Sequence, residues 1–137
     1  MREQIRDEIL ARGNRAALQA QLAREPGAAQ ETVAACVHNY VCYKFLLEPE
    51  EGAGLTMSEL ADMSLERALD MKLPLAKESE IATTCGAAGS AAMKIALLLV
   101  AVKKDFQVEI DPRRLGFVKD TAELGELVYR AMQGQAV

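Results

Sequence analysis

Two residues in the second half of the chain, Cys85 and Ser90, carry side chains that could take part in covalent chemistry. Ser90 shortly precedes the segment from Met93 to Phe106, which is predicted to be a helix. Its hydroxyl is therefore expected at the first turn of that helix. Free backbone N–H groups and the helix dipole favour a phosphate group at such a position. The same hydroxyl could instead serve only as the helix N-cap, and the sequence leaves both interpretations open.

Cys85 lies in the small-residue stretch just before Ser90. A thiol near a helix N-terminus can have a lowered pKa and act as a nucleophile or redox sensor, but catalysis would require a base nearby. The only histidine, His38, is far away in the sequence, and no oxyanion donor set or cofactor motif accompanies the thiol. A small buried cysteine is the alternative interpretation, and we predict that the chain is not an enzyme.

His38 and Cys42 are four residues apart in an apolar segment, so on a helix they would share one face. That spacing can offer two ligands to a metal ion, but no third or fourth ligand is evident. Cys36 is six residues from Cys42 and would point elsewhere, which also argues against a disulfide between them. We therefore predict a histidine that faces the core and no metal site.

The composition excludes several classes of protein. The chain has 137 residues, half of them hydrophobic, and a net charge of -4, which argues against a general nucleic-acid binder. An odd number of cysteines and an N-terminus without an apolar signal stretch favour a cytoplasmic location. The apolar run 95–102 is far shorter than the roughly 20 residues that span a bilayer, so it predicts a core helix and no membrane span.

Apolar periodicity and capping signals predict a small all-α helical bundle. Thr56 with Glu59, and Asp120 with Glu123, have the spacing of capping boxes, while Gly13-Asn14 is a typical helix stop. The expected helices cover 2–12, 15–24, 28–47, 57–72, the segment from Ser90 to Phe106, and 121–133. The glutamate-rich stretch 48–55 is expected to be a solvated loop.

The order of elements after residue 56 resembles that of an acyl carrier protein. The amphipathic helix is followed by Leu73-Pro74-Leu75, an acidic stretch ending in Glu80-Ile81, a small-residue loop and an apolar helix. That family's second helix ends in a Phe followed by alternating apolar and acidic residues, a pattern matched here by Phe106, Val108, Glu109 and Ile110. The closing helix matches at Asp120, Glu123, Leu124, Leu127 and Val128, so the resemblance covers about residues 58–132.

The resemblance implies a division into an N-terminal helical extension, residues 1–55, and an acyl-carrier-like domain, residues 56–137, together expected to form one compact unit. It implies that the protein presents a thioester-linked acyl or similar group to partner enzymes of biosynthesis. The cofactor would be 4'-phosphopantetheine, with Ser90 as the attachment residue. The extra helices could clamp the carrier-like part or form the surface of a homo-oligomer.

Two features depart from the family pattern. The spacing back from Phe106 places the attachment position at Ala92, two residues after Ser90, and alanine has no hydroxyl. The helix is also basic, with Lys94, Lys103 and Lys104, whereas the family's second helix is usually acidic. The alternative is a non-modified helical interaction or oligomerisation protein that retains only carrier-like packing.

Overall fold

A computed structural model describes residues 2–71 and 90–135 and shows an all-α bundle, as predicted. Within these ranges the chain forms six helices and no strand. The helices are α1 (Arg2–Ala23), α2 (Gln30–Lys44), α3 (Met57–Asp70), α4 (Ala91–Asp105), α5 (Pro112–Leu115) and α6 (Thr121–Met132). No helix among these combines the length and the apolar character needed to cross a bilayer.

The first helix, α1, is continuous through Gly13, so the prediction of two helices interrupted at Gly13-Asn14 is wrong. A glycine inside a helix costs only about 1 kcal/mol relative to alanine, and packing can offset that cost. Here Ala16 and Ala20, in the turns after Gly13, are buried, and α1 packs along α2. A single helix therefore covers the range of both predicted ones.

The second helix, α2, supplies much of the hydrophobic core, as its apolar sequence predicts. Its buried residues are Val33, Cys36, Val37, Tyr40, Val41 and Cys42. The same buried cluster includes Leu60 of α3, Leu98 of α4 and Leu124 of α6. One core thus draws on residues from both 1–55 and 56–137.

Two contacts tie α2 to the end of α4. The hydroxyl of Tyr40 donates a hydrogen bond to Asp105, with 2.5 Å between Oη and Oδ2. The edge of one ring meets the face of the other between Tyr40 and Phe106, with centroids 5.0 Å apart and planes at 74°. Because both aromatic residues are buried, this junction is a major part of the core.

Helix α6 packs closely on α2 because Gly125 has no side chain. A Cβ atom placed on Gly125 would lie 3.0 Å from the Cα atom of Ala34 on α2. The two backbones therefore approach each other at this point more closely than an alanine would permit.

The N-termini of α3 and α6 lie side by side. Thr56 and Glu59 form the predicted capping box, and the backbone N–H of Met57 donates to the carbonyl of Lys119 at 2.7 Å. An isolated antiparallel bridge joins Thr56 to Asp120. This pairing fixes the start of α3 against the segment that leads into α6.

The cap of α6 differs in one detail from the predicted capping box. Asp120 accepts from the backbone N–H of Glu123 as expected. The carboxylate of Glu123, however, accepts from the backbone N–H of Lys119, one residue before the N-cap, at 3.0 Å. Upstream, Asp111 and Pro112 open the four-residue helix α5, which no pattern predicted; proline is well suited to the first helical position.

Candidate functional site

Ser90 is exposed at the N-terminus of α4, where it acts as the helix N-cap. Its backbone is extended, and its Oγ accepts a hydrogen bond from the backbone N–H of Met93 at 3.1 Å. The cap uses the oxygen as an acceptor and leaves the hydroxyl proton free to be donated or transferred. Ser90 therefore combines the structural role of a cap with an accessible hydroxyl at the positive end of a 15-residue helix.

Of the three lysines that make α4 basic in sequence, only two lie at the surface. Lys94 is completely buried, and its Nζ lies 6.0 Å from the ring centroid of Phe45 on the segment after α2. A buried lysine is not available to dock a partner. Lys103 and Lys104 remain at least partly exposed, but they lie at the opposite end of the helix from Ser90.

The helix also presents apolar side chains to solvent. Met93 is 41% exposed, and Val100, which belongs to the apolar run 95–102 expected to lie in the core, is 66% exposed. Leu98 and Val102 are the members of that run that are fully buried. Helix α4 therefore buries apolar side chains on one side only. Its other side also carries apolar side chains, which are exposed, and Ser90 lies next to that side.

His38 and Cys42 share one face of α2, as their spacing predicts. In the structure, His38 also contacts Pro49 and Thr121. The Nε2 atom of His38 lies 3.6 Å from Sγ of Cys42 and 2.9 Å from the carbonyl oxygen of Pro49. Its Nδ1 atom lies 2.7 Å from Oγ1 of Thr121, the first residue of α6. A carbonyl can only accept, so we assign the imidazole proton to Nε2, and Nδ1 accepts from the threonine hydroxyl.

This arrangement superficially has the order of a catalytic cysteine, a histidine base and an orienting hydroxyl, but its electrostatics oppose catalysis. Cys42 is fully buried, and burial raises the pKa of its thiol to about 12, with the negative charges of Glu51, Glu50 and Glu48 contributing in the same direction. A nucleophilic cysteine requires a lowered pKa. We conclude that His38 joins α2, the 48–55 loop and α6 structurally, and that Cys42 is a buried core residue.

His38 and Cys42 are also the two residues whose spacing could have offered ligands to a metal ion. Among residues 2–71 and 90–135, no group of three or more His, Cys, Asp or Glu side chains is arranged to hold a metal ion. Both imidazole nitrogens of His38 already have hydrogen-bond partners. Cys36 and Cys42 are both free thiols, as the spacing argument expected.

The glutamate-rich loop is held more firmly than a solvated loop would be. Arg67 of α3 donates to Glu51 at 2.5 Å and to the carbonyl oxygen of Leu46 at 2.9 Å. A hydrogen bond from the backbone N–H of Glu48, followed by the contact with Arg67, lowers the pKa of Glu51. These partners are distant in the sequence, and no local pattern pointed to them.

The second residue singled out for covalent chemistry, Cys85, lies outside the described residues, as do the preceding loop and the Leu73-Pro74-Leu75 and Glu80-Ile81 motifs. The prediction that Cys85 is a small buried cysteine therefore stays a prediction. No protein-family model, no curated protein and no solved structure was found to match this chain.

A pH dependence of stability follows from the buried thiol of Cys42. Between about pH 9 and 12 the thiol is ionised in the unfolded chain but remains protonated in the native protein. The unfolded state then binds fewer protons, so the contribution of this thiol to stability falls as the pH rises, by about 1.4 kcal/mol per pH unit. Below about pH 9 the thiol is protonated in both states and contributes no pH dependence.

Urea unfolding of the parent and of Cys42→Ala between about pH 8 and 10.5 measures this effect. The parent should lose stability more steeply than the variant above pH 9, whatever the constant cost of the substitution. Parallel pH profiles for the two proteins would show that the thiol ionises normally in the native state.

Proposed function

We propose that the chain is an acyl-carrier-like protein that presents a thioester-linked acyl or similar group to partner enzymes. In this proposal, 4'-phosphopantetheine is attached to Ser90. The observation that carries the proposal is the position of the Ser90 hydroxyl, which is exposed at the N-terminus of a long helix. A phosphodiester at that position would lie beside the positive end of the helix dipole.

The succession of helices supports the same proposal. From α3 onward the described residues form a 14-residue helix, a 15-residue helix capped by serine, a helix of one turn, and a closing helix of 12 residues. Apart from the one-turn helix, which was not predicted, this is the order that the resemblance to acyl carrier proteins implies for residues 58–132. Phe106, one of the residues that carry that resemblance, directly follows α4 and is buried.

The protein's own part in this function would be attachment and presentation. Ser90 Oγ would lose its proton and form the ester bond to the phosphate as the bond between that phosphate and the nucleotide of its donor breaks, and the nucleotide would leave. The thiol of the arm would supply the thioester chemistry. The residues that hold the end of α4, Tyr40 and Phe106, would keep the helix fixed on the core. The expected partners are biosynthetic enzymes in the cytoplasm, and the protein itself would not be an enzyme.

A second function, that of a non-modified helical interaction or oligomerisation protein, is favoured by two specific observations. Ala92, the position that the family spacing assigns to the arm, has no hydroxyl. Phe117 is 84% exposed between α5 and α6, and aromatic residues are enriched where proteins bind one another. This second function needs no prosthetic group.

The intact mass of the full chain, after co-expression with a broad-specificity phosphopantetheinyl transferase, separates the two functions. A carrier gains the mass of the arm, and Ser90→Ala abolishes the gain. An interaction protein keeps the mass of the unmodified chain under the same conditions.

A further inference from the structure

A groove between the segment around α5 and helix α6 combines an exposed aromatic ring with several arginines. Its volume is about 570 Å³. Phe117 forms one wall and is 84% exposed, while the half-buried Val118 and Leu127 provide further apolar surface. The arginines that line it are Arg113, Arg114 and Arg130. Aromatic residues and arginine are the types most enriched where proteins bind one another.

The charge of this groove is available to a partner. Of the two glutamates that line it, Glu123 is engaged by the backbone N–H of Lys119, and Glu126 remains on the rim. Arg113 is 92% exposed and contacts Asp111 only at 3.7 Å, a separation typical of a weak surface pair. Arg113 therefore keeps most of its donors for carboxylates from outside the groove, whereas Arg130 donates from Nε to Oε1 of Gln135 at 3.2 Å.

A surface of opposite character lies on α3. The carboxylates of Glu59, Asp62, Glu66 and Asp70 are exposed and follow each other at helical spacing. Leu69, beside them, is 58% exposed. Within the described part of the chain, none of these four carboxylates forms an ion pair, and Arg67 on the same helix is engaged by Glu51.

We propose that α3 of one copy of the protein docks in the groove around Phe117 of a second copy. The positive arginines of the groove are opposite in charge to the acidic row. Each surface also has one large exposed apolar residue to bury against the other. Asp62 and Asp70 are eight residues apart, or about 12 Å along the helix axis, so one row can reach arginines on both sides of the groove. The inference is independent of the attachment of a prosthetic group to Ser90.

The contact is heterologous, because one surface of each copy meets a different surface of the next. Every copy in an assembly therefore carries both a groove and an α3 row. In an open chain of copies, each terminal copy leaves one of these two surfaces unbound. A contact of this small size is expected to be weak and, being ionic at its rim, sensitive to salt.

Light scattering coupled to size-exclusion chromatography tests the proposal on the full chain. At low ionic strength the mean mass should rise above the monomer mass of 14.9 kDa as the concentration approaches about 1 mM, and added salt should reverse the rise. A mass that stays at 14.9 kDa throughout would overturn the proposal.

Complementation between two variants tests the heterologous contact itself. Arg113→Glu with Arg114→Glu destroys the groove and keeps the α3 row, whereas Asp62→Lys with Glu66→Lys destroys the row and keeps the groove. Each variant alone should be monomeric. An equimolar mixture should associate again, because the unchanged row of one variant fits the unchanged groove of the other, and the two reversed surfaces are also opposite in charge. All four positions are exposed, and circular dichroism verifies that both variants are folded.

A matched control places the same charge reversal outside both surfaces. Lys104→Glu on α4 and Glu109→Lys after it are exposed and line neither the groove nor the acidic row. Together they should leave self-association unchanged. Association that persists in either surface variant alone, or a mixture of the two that remains monomeric, would refute the contact proposed here.

Discussion

Truncation of Phe106 to alanine is expected to lower the free energy of unfolding by about 3–5 kcal/mol, the usual cost of removing a fully buried aromatic ring. Phe106 is only 1% exposed, and its ring packs edge to face against Tyr40. Its removal leaves a cavity where α2, α4 and the following segment meet, and it removes the partner of the Tyr40 ring. Urea unfolding followed by circular dichroism measures the loss.

Phe117→Ala is the matched control, because it makes the same chemical change at a side chain that is 84% exposed. We expect a change within about 0.5 kcal/mol, as for most surface substitutions. A loss in Phe106→Ala as small as that expected for Phe117→Ala would mean that Phe106 is not part of the core. A large loss in Phe117→Ala alone would place the Phe117 ring in the interior.

Gly52→Ala should also destabilise the protein, by about 1–3 kcal/mol, because the added methyl group overfills a packed site. A Cβ atom on Gly52 would lie 2.7 Å from Sγ of Cys42 and 2.8 Å from Cδ2 of Leu60. Both of those residues are completely buried, so neither can move away without disturbing its own neighbours. Thermal or urea unfolding gives the size of the effect.

Gly13→Ala is the corresponding control and should have the opposite sign. Gly13 lies inside α1, and an added Cβ would meet no atom within 4 Å. Replacing a glycine in a helix by alanine stabilises by about 0.5–1 kcal/mol. If Gly52→Ala were as well tolerated as Gly13→Ala, the 48–55 loop would not pack on Cys42.

Features that depend on neighbouring residues could be predicted from the sequence. The capping box of Thr56 and Glu59 and the N-cap at Ser90 are local patterns in which a side chain satisfies a backbone N–H two or three positions away. The helical period placed α2, α3, α4 and α6 within a few residues of their observed bounds. For the same reason, the shared face of His38 and Cys42 followed from their separation alone.

Features that depend on tertiary packing could not be predicted. Thr121 approaches His38 from 83 residues away, and Asp105 approaches Tyr40 from 65 residues away. Gly13 has the composition of a helix stop, but burial of the neighbouring alanines keeps α1 intact. The burial of Lys94 beside Phe45 likewise depends on tertiary packing, and no local pattern indicates it.

The position of α2 also bears on the proposed function. A free-standing carrier protein has no counterpart of residues 1–55, yet here α2 contributes Tyr40, Val37 and Cys42 to the centre of the core. Helices α3, α4 and α6 contribute Leu60, Leu98 and Leu124 to this same core. Tests of carrier activity therefore require the full chain.

The intact mass of the chain after exposure to a phosphopantetheinyl transferase is the most direct test of that function, and variants of the attachment position sharpen it. The parent should gain the mass of one arm, and Ser90→Ala should gain none. Ser90→Ala combined with Ala92→Ser moves the hydroxyl to the family spacing, beyond the N-cap, and shows whether the transferase accepts that position instead. A parent chain that keeps its unmodified mass would contradict the carrier function, and a gain that persists in Ser90→Ala would contradict the assignment of the arm to Ser90.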